Sequence, residues 1–325
     1  MAARLSLDDK LEAIRKLRGG PLSAELTAEL KKAIADRSNF VVAAAAEIVG
    51  DQTLIELAGD LEKAFDRFLP NPIRDDKLCR AKIAIVQALD RVEHMRSAVF
   101  ERASTHIQLE PVFGGSEDTA APLRSAALIA LARVEGSQAL PRLVDAMVDK
   151  CKDVRIAVAQ ALSYLNTEAA GLLLRLKARI GDADPEVLSE CLAGLLADGG
   201  ADSLAIAREA LDSEDEDRCE AAAIALGKSR RADAFEPLRD RWSRSFSSVI
   251  RQQVLLSIAM LRQSSAIDYL VELVGTASEK DALLALAALK VHSHDPRLRE
   301  RLAPVVQATG KPALVTRFAR DFRAD

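Results

Sequence analysis

Apolar and polar positions follow a helical period along this chain, and the helical segments themselves recur. Leu7, Leu11, Ile14 and Leu17 fall three or four residues apart among charges, which predicts an amphipathic first helix over residues 4–18. Beyond it come alanine- and leucine-rich stretches of one kind: "DVRIAVAQALSYL" from Asp153, "PLRSAALIALARV" from Pro122, "PEVLSECLAGLLA" from Pro185, "DRCEAAAIALGKS" from Asp217 and "VIRQQVLLSIAML" from Val249. Weaker copies begin at Phe40, Cys79 and Glu279. Aligned on one aliphatic position, they place Val49, Leu89, Leu131, Leu162, Leu195, Leu226, Ile258 and Leu289 at intervals of 40, 42, 31, 33, 31, 32 and 31 residues. A second helical segment lies between successive copies. Each unit is therefore expected to be an outer helix A and an inner helix B, antiparallel and joined by a tight turn. Ala159, Ala161, Ala223, Ala225 and Ala288 at the centres of B segments allow close approach of neighbours. No such pair buries its own apolar face, so the pairs must stack.

Asp153-Val154-Arg155 followed by Ala161-Leu162 carries a resemblance to the HEAT repeat family, in its short bacterial form first noted in phycobilisome lyases. Leu123-Arg124 and Ile250-Arg251 keep the arginine. The copies at Val187, Arg218 and Asp281 lack it, so a stacked Arg–Asp ladder is expected to break there. The resemblance spans about residues 22–323. It implies an all-α, right-handed α-solenoid of about eight to nine antiparallel helix pairs. A single array over 1–325 would comprise an N-terminal cap unit (1–40), repeats (41–295) and C-terminal cap helices (296–325). In the last pair, Arg299, Arg301, Arg317, Arg320 and Arg323 are expected to shield the final apolar face. The resemblance is specific for fold and says little of function.

Two intervals are long, because two adjacent units carry insertions at 70–76 and 108–121, mostly in the A-to-B turn: "RFLPNPIRDDK" and "IQLEPVFGGSEDTAAP". In a stacked array, insertions at equivalent turns emerge side by side on one edge. Asn71, Arg74, Val112, Phe113, Gly114, Gly115, Glu117 and Asp118 are the candidate partner-binding residues there. The competing reading is a packing filler. In it Gly114-Gly115 makes a sharp turn, Ser116 caps the next helix with Glu117 and Asp118 in its first turn, and Val112 and Phe113 tuck inward.

Charge and composition narrow the function only slightly. The chain of 325 residues has a formal net charge of −4, which argues against a protein built chiefly to hold a phosphate backbone, and its 4% aromatics are few for a DNA-glycosylase-like module. Residues 182–217 hold twelve acids and one base, and residues 228–251 seven bases and three acids. Acids at B-helix starts and bases at their ends complement the helix dipole and account for most of this sorting. Arg230, Arg231, Arg239, Arg241, Trp242 and Arg244 remain a candidate basic patch. The four cysteines, Cys79, Cys151, Cys191 and Cys219, form no C-x-x-C pair and read as free thiols in a reduced compartment. His94 and His106 are expected on the third A helix and at its end. The turn His292-Ser293-His294-Asp295 reads as solvated rather than metal-binding. No nucleotide-binding, nucleophile-elbow or metal motif is found, so no cofactor, metal or catalytic residue is expected. No apolar run is long enough to span a membrane, and a cytoplasmic location is expected. The function read from these features is a non-enzymatic scaffold or adaptor, binding another protein or peptide through the loop edge and inner helical face. The alternatives are a nucleic-acid-binding or DNA-glycosylase-like module and a HEAT-like lyase.

Overall fold

The computed structural model describes residues 6–197 and 199–323; the expected helix start at residues 4 and 5 lies outside them. The chain divides into two compact units, Met1–Ala170 and Gly171–Asp325. Each is a stack of antiparallel helix pairs, and the described residues are all-α apart from one small hairpin.

In unit 1, α1 (Leu7–Leu17) packs beside α3 (Asn39–Asp51), and α2 (Ala24–Ile34) pairs with α3. Next come α4 (Ala58–Arg67), a single turn α5 (Pro72–Asp75) and α6 (Arg80–Arg91). Then α7 (Ala98–Ser104) leads through strands β1 (Leu109–Val112) and β2 (Gly115–Asp118) into α8 (Ala121–Glu135). A last pair, α9 (Leu140–Ala146) and α10 (Lys152–Leu165), follows. The B helices α3, α6, α8 and α10 form one row, each packed on the next. Ile85, Leu89, Leu123, Leu131 and Val158 are buried between them.

Unit 2 begins within α11 (Glu168–Ile180) and continues with α12 (Pro185–Leu196), α13 (Ala201–Leu211) and α14 (Glu216–Ser229). It goes on with α15 (Phe235–Arg244), α16 (Ser248–Met260), α17 (Ser264–Thr276) and α18 (Glu279–Leu289). The final pair is α19 (Pro296–Ala308) and α20 (Pro312–Asp321). Here α12, α14, α16, α18 and α20 form the B row. Small residues set its spacing: a Cβ on Gly227 of α14 would lie 2.8 Å from the Cα of Ser257 in α16. Such backbone approach excludes any side chain at that point.

How the chain enters its B helices explains the Arg–Asp motif. Asp36, Asp118, Asp149 and Asp182 each accept a hydrogen bond from the amide two residues on, at 2.8, 3.0, 2.8 and 2.9 Å. These side-chain turns hold the corner before the helix begins. Six residues after Asp76, Asp118 and Asp149 stand the bases Lys82, Arg124 and Arg155, each in the first turn of a B helix. Arg124 bonds Asp118 of its own turn at 2.7 Å and Asp149 of the next at 2.9 and 3.1 Å. In unit 2, Arg251 reaches Asp281 at 2.7 Å and the carbonyl of Ser245 at 3.0 Å. The break expected at the Asp281 copy is therefore not seen between α16 and α18. That copy lacks the base but supplies the carboxylate.

Candidate functional site: the inserted edge of unit 1

The insertion after α4 delivers Asp76 to a fully buried position. One of its carboxylate oxygens accepts from the Ala81 amide at 2.8 Å and the Asn39 side chain at 3.3 Å. The other accepts from the Lys82 amide at 3.1 Å and the Lys82 ammonium at 3.0 Å. Asp76 thus satisfies the first amides of α6 and neutralises a lysine that has no exposure to solvent. Between Asp76 and α6, Leu78 and Cys79 are both left-handed, with φ of 61° and 52°. Two successive non-glycine residues in that region cost about 1–3 kcal/mol each, so surrounding contacts must hold them.

The second insertion supplies those contacts. It is not an irregular loop but a hairpin, pairing Leu109 with Asp118 and Val112 with Gly115. Gly114 adopts φ of 86°, which lets a two-residue turn close. Glu110, 2% exposed, points inward and accepts from the Leu78 amide at 2.5 Å, Gln108 at 2.7 Å and Thr119 at 2.8 Å. Gln108 also donates to the Asp76 carbonyl at 2.9 Å. The Cys79 thiol donates to the Gln108 side-chain oxygen at 3.1 Å. Asp118 accepts from the Gln108 amide at 3.1 Å as well as from Arg124. One hydrogen-bonded network therefore runs from α3 through both insertions to α8.

Its electrostatics follow from burial. Burial works to raise the Glu110 carboxyl. Hydrogen bonds from Thr119, Gln108 and Leu78, with the charge of Lys77, outweigh it and hold the group below its ordinary value. Asp118 is likewise lowered, against burial, by the Gln108 and Ala120 amides and by Arg124. Burial, then the Lys82 charge, pushes His106 down. Burial pushes the Cys79 thiol up to about 11, which removes it as a nucleophile near neutral pH.

While the polar side chains turn in, apolar ones turn out. Phe113 at the hairpin tip is fully exposed, and Leu109, Val112, Ile107 and Leu78 are each about half exposed or more. The expectation that Val112 and Phe113 tuck inward is overturned. So is the capping role of Ser116, which lies in β2, with Glu117, while α8 starts at Ala121. Asp118 is structural rather than a free surface acid. Asn71 and Arg74 are exposed but stand apart from the hairpin network: Arg74 bonds Asp75 at 2.7 and 3.0 Å. Sequence reasoning missed Asp76, Lys82, Gln108, Glu110 and Thr119. One signal was present, since Lys82 sits seven residues before Leu89, as Arg124 and Arg155 sit before Leu131 and Leu162.

The basic stretch of unit 2 is not an open patch. Trp242 is 5% exposed and the Arg251 guanidinium lies 3.6 Å from its ring centroid, so the indole offers no stacking face. Arg231 bonds Asp233 at 2.7 Å, Arg244 bonds Asp212 at 2.8 Å, and Arg239 pairs with Glu236. Arg241 donates to the Ser213 carbonyl at 3.2 Å, and Arg230 is the left-handed C-cap of α14. His94 is not helical; it follows α6 and pairs with Glu62. His106 lies beyond α7, and His292 donates from Nε2 to the Ala259 carbonyl, 2.8 Å away. Among the described residues no His, Cys, Asp and Glu group is arranged to hold a metal, and no helix is long and apolar enough to cross a membrane.

These features define a helical-repeat protein with an ornamented edge. Residues 172–259 match the family model of HEAT repeats. No curated protein matches the sequence. Among solved structures, the complex of CpcE and CpcF of phycocyanin lyase from Nostoc sp. is similar at 18% identity and a TM-score of 0.36, over 73% of this chain and 91% of that one. Human deoxyhypusine hydroxylase in complex with glycerol is similar at 15% identity and 0.30, over 90% and 92%. An engineered protein is similar at 16% and 0.36, over 98% and 95%. At such scores these likenesses carry no functional argument.

Proposed function

We propose that the chain is a non-enzymatic scaffold that binds another protein through the hairpin edge of unit 1, with Phe113 as anchor and Leu109, Val112 and Leu78 beside it. The observation that supports this reading is one contrast: a fully exposed phenyl ring stands on a hairpin whose other face is fixed by a buried polar network. A flexible loop would lose conformational entropy on binding, whereas a fixed hairpin has already lost it. Burying a phenylalanine side chain in a partner contributes about 1.5–3 kcal/mol. Aromatic anchors of this kind dominate interface energetics.

The experiment is affinity capture from native lysate with quantitative mass spectrometry. Wild type is compared with Leu109→Ser/Phe113→Ser, after circular dichroism confirms equal helicity. Arg239→Ser serves as the surface control. A partner retained by wild type and the control, and reduced tenfold or more by the double variant, supports the reading. Equal recovery by all three would refute it.

A further inference from the structure

The last helix pairs of unit 2 carry a charge pattern that the edge reading does not use. Residues 290–323 hold eight lysines and arginines against three acids, in a chain whose net charge is −4. Some of these bases are engaged. Arg301 bonds Asp268 at 2.5 Å, and Lys311 donates to the Ala277 carbonyl at 2.9 Å. Arg317, Arg320 and Lys290 converge on Asp321, whose side chain is 2% exposed. The hydrogen bond from Arg320, against burial and with Arg317 added, holds that carboxyl far below its ordinary range. Arg299 and Arg323 have no carboxylate partner among the described residues.

Those two guanidiniums, with Arg320, Ser293 and His294, line a cavity of about 390 Å³. All three arginines are among those expected to shield the final apolar face, and here they line a concavity. Among the described residues Asp321 is its one acid, already neutralised from three sides. Asp295, the N-cap of α19, bonds the Arg297 amide at 2.9 Å and lines the neighbouring cavity instead.

We propose that this cavity binds the phosphoryl group of a small phosphorylated molecule, with Arg299 and Arg323 clamping its oxygens and the Ser293 hydroxyl donating to a third. Guanidinium forks match the O–P–O edge in geometry and charge. A carboxylate offers two oxygens and one charge, which would leave one fork unmatched. A phosphoryl dianion has three terminal oxygens and enough charge for both arginines. The site is separate from the hairpin edge and does not depend on it.

Isothermal titration of the full chain with pyrophosphate, and with inorganic phosphate, at constant ionic strength tests this. Expected are saturable binding to wild type, at least tenfold weaker binding to Arg299→Gln/Arg323→Gln, and wild-type binding to Arg301→Gln. Among the described residues neither substituted arginine of the double variant holds an ion pair, so its fold should persist, as circular dichroism would check; Arg299→Gln alone repeats the test with one change. No saturable binding to wild type, or unchanged binding to the arginine variants, or equal weakening in Arg301→Gln, would overturn the proposal.

Discussion

Two turns of unit 1 do the same work by different means. The turn into α10 uses Asp149, which caps the Cys151 amide two residues on and stays partly exposed at 16%. The turn into α6 uses Asp76, which reaches the Ala81 and Lys82 amides across a left-handed pair and is wholly buried. In the first case a local turn is sufficient. In the second, the inserted residues push the carboxylate inside, where only a paired lysine and a covering hairpin make it tolerable. An insertion in a repeat protein thus leaves its helix in place and converts a local cap into a network between repeats. The hairpin is ordered because that network requires a lid.

The largest effects should separate these two turns. Asp76→Ala strands the Lys82 ammonium in the interior and should cost about 3–5 kcal/mol. Asp149→Ala removes a cap and a partly solvated ion pair, for about 1–2 kcal/mol. Urea unfolding of both variants checks the ordering, and equal losses would remove the distinction. Next in size is Glu110→Ala, which frees the Leu78 amide, Gln108 and Thr119 at a cost of about 1–3 kcal/mol.

The same network sets an acid dependence. His106 is held neutral by burial, so its contribution is complete above its unfolded value of about 6.5 and is lost as pH falls through the lower folded value. Glu110 and Asp118 also have depressed values. Their contribution is complete above about 4.3 and 3.9 and disappears as pH falls through the lower folded values. Melting temperatures from pH 7.5 to 3 should fall first below about pH 6.5, a step that His106→Asn removes, and again in the carboxylate range. Smallest of all is Phe113→Ser, which should change stability by less than about 0.5 kcal/mol, since the ring touches solvent only. A larger loss would mean the ring supports the fold.

The helical rows were legible because their signal is repeated many times. Leu89, Leu131, Leu162, Leu195 and Leu226 recur at near-constant intervals, and each helix buries the face that spacing marks. The hairpin was not legible. Its strands are four residues long, contain Pro111 and Gly115, and show no apolar alternation, because the inward residue is Glu110. Local pattern cannot reveal a strand whose buried face is polar and whose partner groups come from the preceding repeat. Trp242 is the opposite case. Phe235, Leu238 and Trp242 lie three and four residues apart, which marks one buried helical face, yet the surrounding arginines suggested a surface. Spacing was the better guide than neighbouring charge.

Hydrogen–deuterium exchange across residues 76–80 and 108–119, in wild type and Glu110→Ala, asks most directly whether the buried network holds the hairpin in place. The amides of Leu78, Gln108 and Thr119 should exchange in wild type as slowly as those of α6, and at least tenfold faster in the variant, while α6 stays protected. Rapid exchange of these amides in wild type, or no change on removing Glu110, would contradict it.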